Sequence, residues 1–371
     1  MKLFKSLLVA PAALGLLAPM SATANELNLA DASDYSSSRE VKSISEFDSK
    51  ELAVTNSRVD GLESRINNFE AGSFSETTTA SFSADFGLGA VAGQGVETHV
   101  SDGQEALTAV YGFQIDLNTS FTGEDSLDIS IDAGNANSTT LLGELDLNST
   151  TNDALTVDGV SYTFPLGDKA TVFVGDNTPG SKLYSTACVY GGITDTLDDC
   201  GAASGALDAE YGTSAGATIE VGNGFTAAIG YEGQGASVSG LMTDEGTDAY
   251  GAQLTYTGDS FGASVTYANI ESANDTTYWT LNGYWTPEST GNVPSISVGY
   301  EMGNPTTGND TTQYFVGLQW DEVGPGTLGA AIGNTGPIAD NATDEAKTIM
   351  YEAFYSYPVN DGMTITPVFY V

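Results

Sequence analysis

Basic residues and histidine are scarce in this chain of 371 residues: 10 Lys and Arg stand against 49 Asp and Glu, with one His, for a net charge of −39. A chain this negative is repelled by phosphate backbones, which excludes nucleic acid as a partner. The lone His99, near Gly95 and Gly103, leaves no histidine-based triad and no histidine cluster for a metal. Phosphate-cradling loops are lacking too, because Gly87-Leu88-Gly89 lies inside a strand pattern and opens no helix. Neither an enzyme nor a bound cofactor is expected. After residue 24, no apolar run approaches the ~20 residues that a helix needs to span a bilayer. A membrane location would therefore require a closed β-barrel.

What is present begins with Met1-Lys2-Leu3-Phe4-Lys5, an apolar stretch from Leu7 to Pro19, and Ala22-Thr23-Ala24. That order of basic, apolar and small residues predicts a secretory signal peptide over 1–24, and Pro11 and Pro19 oppose a buried helix there. In an exported chain the only cysteines, Cys188 and Cys200, predict a disulfide within a Gly- and Asp-rich loop. Asp195, Asp198 and Asp199 fall between them and form a weak candidate for a hard cation such as calcium. Clustered aspartates in such a loop are more often simply solvated, so no metal is expected.

Residues 25–49 are polar, Ser-rich and aperiodic, and read as a linker. Over 50–71 the pattern becomes heptad-like: Leu52, Val59 and Ile66 recur along one seam, Leu62 and Phe69 fill the alternate seam, and only Thr55 breaks it. A helix this short is marginal alone, so its seam predicts partners, with three copies meeting on the axis of a trimer.

Past Gly72 the period switches to two. Phe82, Phe86 and Leu88 alternate with Ser83, Asp85 and Gly87, and Tyr111, Phe113, Ile115 and Leu117 with Gly112, Gln114, Asp116 and Asn118. Similar runs continue to the end of the chain, and many are long enough to cross a bilayer when tilted. Tight links such as Gly167-Asp168, Gly222-Asn223-Gly224, Gly258-Asp259-Ser260 and Asn360-Asp361-Gly362 alternate with long loops near 91–105, 134–158, 176–206, 232–247, 302–311 and 333–347. Short turns on one side and long loops on the other mark an outer-membrane barrel. Residues 78–371 are thus expected to form an all-β, antiparallel transmembrane barrel of about 15–16 strands.

Lys50-Glu51-Leu52-Ala53-Val54 with Arg58-Val59-Asp60-Gly61-Leu62-Glu63, Tyr162-Thr163-Phe164-Pro165-Leu166-Gly167-Asp168-Lys169, Pro294-Ser295-Ile296-Ser297-Val298-Gly299-Tyr300 and Val316-Gly317-Leu318-Gln319-Trp320-Asp321 recur as an ordered set. In these stretches the chain resembles the cyanobacterial members of the carbohydrate-selective porin family, also labelled iron uptake porins. The resemblance implies a trimeric, sixteen-stranded barrel in the outer-membrane lipid, passing small hydrophilic solutes such as sugars and inorganic ions. Family members usually carry an S-layer homology domain before the coiled coil. Here Ser43-Ile44-Ser45-Glu46-Phe47-Asp48 runs almost directly into Lys50-Glu51-Leu52, and that domain is missing.

By parity, the inward positions include Asp85, Asp116, Asp128, Asp132, Asp208, Glu210 and Glu220, and the outward face of the same segments is uncharged. Beyond Glu70 the basic residues are Lys169, Lys182 and Lys347, with no Arg. A water-filled path with this lining is expected to favour cations. The alternative is a secreted acidic β-rich surface or sugar-binding protein without a pore; it predicts strands of ~5 to 6 residues and no alternation of loop length. Counting from Ser81 gives about fifteen strands, whereas single-chain bacterial barrels are even-stranded. The chain is accordingly expected to be one strand short, with the strand from Ala80 and the strand to Val371 meeting imperfectly at the seam.

Overall fold

Among the described residues from Thr78 on, the segments of two-residue alternation fold as strands. The computed structural model describes residues 12–16, 78–91, 107–135, 142–145, 147, 153–202, 207, 212–235, 240–243, 246–272, 274–288, 293–334, 338–339 and 349–371. The linker, the heptad segment with Leu52, Val59, Leu62, Ile66 and Phe69, most of the leader, and Asp208 and Glu210 lie outside the described residues. The chain divides into two compact units, one of Met1–Ala18 with Ala80–Val371 and one of Pro19–Thr79.

In chain order the strands are β1 (Ala12–Leu16), β2 (Thr78–Gly89), β3 (Thr108–Thr119), β4 (Ser126–Gly134), β5 (Thr156–Leu166), β6 (Ala170–Asp176), β7 (Thr213–Gly222), β8 (Phe225–Gly233), β9 (Asp248–Thr257), β10 (Phe261–Glu271), β11 (Thr276–Trp285), β12 (Ser295–Pro305), β13 (Thr311–Val323), β14 (Gly326–Asn334), β15 (Ile338–Ala339), β16 (Ile349–Asn360) and β17 (Met363–Tyr370). β15 is a two-residue appendage on β13. β1 is a five-residue strand, and the remaining 15 form one antiparallel meander in which successive strands pair. Their lengths, from 7 to 13 residues, include many that suit a tilted crossing.

An odd meander leaves its first and last strands running the same way, so β2 and β17 cannot complete an antiparallel ladder with each other. β1, drawn from the stretch read as leader, lies between them and is antiparallel to both. Leu14 is opposite Phe86 on one side and Ile365 on the other, and Ala12 is opposite Leu88 and Pro367.

Side-chain parity follows the expected pattern. On β12, Ser295, Ser297, Gly299, Glu301 and Gly303 are buried, whereas Val298, Tyr300 and Met302 are exposed. Aromatic rings collect near both strand ends. On the short-turn side the Tyr256 ring is tilted against Phe225 and Phe261, at centroid distances of 5.0 and 5.4 Å, and toward the other side Tyr267 meets Trp279 edge-on at 5.1 Å. Rings at strand ends suit the interfaces that bracket the apolar band of a transmembrane barrel.

Loop lengths depart from expectation at two places. The 302–311 stretch is mostly strand, because Gly303 of β12 still pairs with Thr311 of β13 and only 306–310 connects them. Small and polar inward residues made these strand ends read as loop. Conversely, the β11–β12 link, 286–294, is longer than the other turns on its side.

The β3–β4 turn shows how those links are held. Asp125 accepts hydrogen bonds from the Tyr162 hydroxyl at 2.6 Å, the Phe121 and Thr122 amides at 2.9 and 2.7 Å, and the Ser120 and Thr122 hydroxyls, each at 2.8 Å. The Tyr162 hydrogen bond first, then those from Thr122 and Ser120, hold its carboxyl far below the usual range. A carboxyl depressed in the folded state stabilises above its unfolded pKa and loses that contribution as pH falls through the folded value. The turn is therefore expected to stay intact through mildly acidic pH, and Asp125→Ala to loosen it at neutral pH. Amide exchange at Phe121 and Thr122, compared between the two proteins, checks this; equal protection at neutral pH would refute it.

Candidate functional site: the lumen and its inward loop

The connection between β6 and β7 carries the cysteines, and it turns into the barrel. Its first arm runs along the inner wall from strand to strand, held by inward polar side chains. The Ser185 amide donates to Gln253 Oε1 on β9 at 2.7 Å, Ala187 to Ser264 Oγ on β10 at 3.0 Å, and Val189 and Tyr190 to Ser297 Oγ on β12 at 3.0 and 3.1 Å. The Gly191 amide then donates to Gln319 Oε1 on β13 at 2.9 Å.

The arm ends on β16. There Glu352 accepts from the Tyr190 hydroxyl at 2.6 Å, the Thr194 amide at 2.7 Å and the Ile193 amide at 3.2 Å. A carboxylate buried among backbone N–H groups and a phenol is compensated without a basic partner. Burial, reinforced by Glu352, pushes the Tyr190 hydroxyl far up, so it remains a donor.

A single helical turn, α1 (Asp195–Asp198), follows, and Cys188 and Cys200 are joined in a disulfide with Cα atoms 6.4 Å apart. The return arm lies back on the wall. The Cys200 carbonyl accepts from Asn282 Nδ2 at 2.9 Å and rests directly over Gly299, where any Cβ would collide with it. Leu197, Tyr190 and Cys200 bury against Phe315, Ala331, Met350, Phe354 and Val368, making a core between loop and wall.

A second inward element meets the first. Leu142 and Leu145, between β4 and β5, pack on Val110 of β3, and Ile193 of the long loop joins this cluster as well as the first. Thr196 Oγ1 donates to Glu144 at 3.0 Å, tying the two loops together.

Burial then separates two walls. Inward residues of β9–β12 are covered by the loop: Gln253 is 4 % exposed, Ser264 5 %, Asn282 5 % and Ser297 1 %. Toward the short-turn ends of β3–β7, inward Asp116, Asp128, Thr171 and Thr218 keep partial exposure and Asn118 and Glu220 are exposed, whereas Val110, Asp132, Ser161, Phe173 and Ser214, farther along the same strands and on the same face, are buried. Water therefore has access along the short-turn half of the β3–β7 wall.

Of the acids expected in the lumen, Asp116 and Asp128 stand on that wall in adjacent strands, Glu220 lies near its short-turn mouth, and Asp85 is partly buried on β2. Asp132 points the same way but is buried, accepting from Thr156 Oγ1 at 3.0 Å. Parity did not single out Glu232, Glu301 and Glu352, which are inward and buried, Glu232 and Glu352 beneath the loop. The available signal was in the loop: Tyr190, Ile193 and Leu197 are apolar, three and four residues apart, in an otherwise polar stretch. Among the described residues no group of three His, Cys, Asp or Glu side chains is arranged to hold a metal, the Asp195, Asp198 and Asp199 set included.

No protein-family model matches the sequence, and no curated protein matches it. Solved structures do match the fold. OprB of Pseudomonas putida, 8 % identical, superposes with a TM-score of 0.53 over 79 % of this chain and 93 % of its own. OmpF of Salmonella typhi, in a complex with daunomycin, is 10 % identical, with a TM-score of 0.50 over 79 % and 97 %. A variant of the Rhodobacter blastica porin is 13 % identical, with a TM-score of 0.46 over 79 % and 98 %. The fold is that of the bacterial outer-membrane porins.

Proposed function

We propose that the chain is a cation-preferring diffusion porin, passing small hydrophilic solutes such as sugars and inorganic ions through a water-filled lumen. The observation that carries this reading is the division of the lumen: one wall is sealed by the inward loop, and the short-turn half of the opposite wall, with Asp116, Glu220 and the Lys182-paired Asp128, is left in contact with water. Inward carboxylates with no arginine in the barrel favour cations. Porin neighbours are channels and not enzymes, which agrees with the lack of a catalytic constellation in the sequence. The ordered motifs shared with the cyanobacterial carbohydrate-selective porins favour that branch, and the heptad seam from Leu52 to Phe69 favours a homotrimer.

Single-channel recording in planar bilayers tests the reading. Discrete conductance steps are expected, and in a KCl gradient the reversal potential should lie on the potassium side. A reversal potential on the chloride side would remove the cation preference, and no conductance at all would remove the pore.

A further inference from the structure

We propose that Lys182 is a selectivity-determining residue of this channel, a cationic strut reaching from the inward loop to the opposite wall and setting the width and charge of the passage. The inference rests on the reading of the chain as a diffusion pore.

The strut has a fixed base. The loop enters the barrel through the turn 179–184, in which the Lys182 amide donates to the Pro179 carbonyl at 3.1 Å and the Tyr184 amide to the Ser181 carbonyl at 2.6 Å. That turn is pinned to β8: the Gly180 amide donates to buried Glu232 Oε2 at 3.0 Å, and a Cβ at Gly180 would crowd the Tyr231 backbone at 3.1 Å. The Ser181 amide donates to the Leu207 carbonyl on the returning arm at 3.3 Å.

From this base the ammonium reaches Asp128 Oδ2 at 3.1 Å. Asp128 is on β4, and β5, β6 and β7 separate that strand from β8. The wall holds the receiving carboxylate in place through its other oxygen, which accepts from Asn118 Nδ2 at 2.6 Å and Ser126 Oγ at 2.7 Å. Both partners stay wet, with side chains 27 % and 33 % exposed, so the pair stands in the passage and not in the core. On the short-turn side, a cavity of about 320 Å³ is lined by Thr171, Ser185, Thr218, Glu220 and Thr226. A solute moving along the β3–β7 wall must therefore pass beside this bridge.

The charge arrangement has consequences for permeation. Among the described residues the basic ones are Lys169, in a turn, and Lys182. Lys182 thus places the positive charge of an otherwise acidic passage next to its wall acids, cancelling Asp128 and repelling cations, divalent ones most. An exposed pair of this kind is weak and screened by salt, which suits a strut that thermal motion can displace.

Planar-bilayer recording on the full-length protein and its variants tests the inference. Lys182→Gln is expected to raise unitary conductance roughly twofold and move the reversal potential further to the potassium side. Asp128→Asn should move it the opposite way, because the ammonium is then left uncancelled. The exchanged pair, Lys182→Asp with Asp128→Lys, should restore conductance close to the wild-type value. If Lys182→Gln channels match wild type in both conductance and reversal potential, or if the exchanged pair behaves no differently from Lys182→Asp alone, Lys182 does not set selectivity. A wild-type protein that forms no channel overturns the pore reading and this inference with it, whereas unaltered Lys182→Gln channels overturn this inference alone.

Discussion

Glu352→Ala is expected to unseat the inner end of the loop while leaving the barrel folded. The carboxylate is the shared acceptor for the Tyr190 hydroxyl and for the Ile193 and Thr194 amides. Truncation leaves those donors buried and unpaired, at about 1–3 kcal/mol each. The ring of Tyr190 keeps its contacts with Phe315 and Phe354, at centroid distances of 5.4 and 5.9 Å, so the arm should be destabilised and not lost. Since about 1.4 kcal/mol corresponds to tenfold in an equilibrium, amide exchange at Ile193 and Thr194 should accelerate at least tenfold. Channel currents should flicker as the arm detaches. Glu352→Gln, which retains one carbonyl acceptor, should fall between. Unchanged exchange at both amides in the alanine variant would show that the loop is held elsewhere.

The disulfide bears on how far a detached arm can travel. It closes Cys188–Cys200 into a lasso containing Tyr190, Thr194 and α1. A loop of ~15 residues closed in this way gains about 3 kcal/mol in the chain-entropy account. Its two ends are seated separately, near Ser297 through Val189 and over Gly299 through Cys200. Loss of the Glu352 anchor therefore frees the tip of the lasso while its neck stays on β11 and β12.

Much of the barrel is legible in sequence because a strand with two unlike faces keeps a strict parity. Val298, Tyr300 and Met302 must alternate with Ser297, Gly299 and Glu301 once one face meets hydrocarbon and the other does not. The same parity places Asp116, Asp128 and Glu220 in the lumen. What it cannot convey is whether the lumen side is wet. Glu220 and Glu352 both point inward, yet one is exposed and the other 3 % exposed, because a loop from elsewhere in the chain lies over the second. Gly, Asp and Thr in 176–206 suit water outside the barrel and water inside it equally well, so composition alone does not set the direction in which the loop turns. The inward course was carried by contacts such as Gly191 to Gln319 and Thr194 to Glu352, whose partners are far apart in sequence.

A charge placed on the outer face should separate a lipid-embedded barrel from a soluble β protein. Val298 is in the middle of the outward run of β12, opposite Gly283 on β11 and Val316 on β13, and its side chain is 45 % exposed. Arginine at the hydrocarbon midplane of a barrel costs about 2–4 kcal/mol, falling to about 0–1 near the interfaces. Val298→Arg is therefore expected to lower the unfolding free energy in bilayers by about that midplane cost. Thr218→Arg, on the wet inner wall, should change it by only about 0.5 kcal/mol, as substitutions in contact with water do. Urea unfolding in lipid vesicles measures both. In water no such asymmetry should appear, because an exposed valine on a soluble sheet accepts arginine at little cost. Equal stability of Val298→Arg and wild type in vesicles would therefore place this face outside the membrane and with it refute the transmembrane reading of β12.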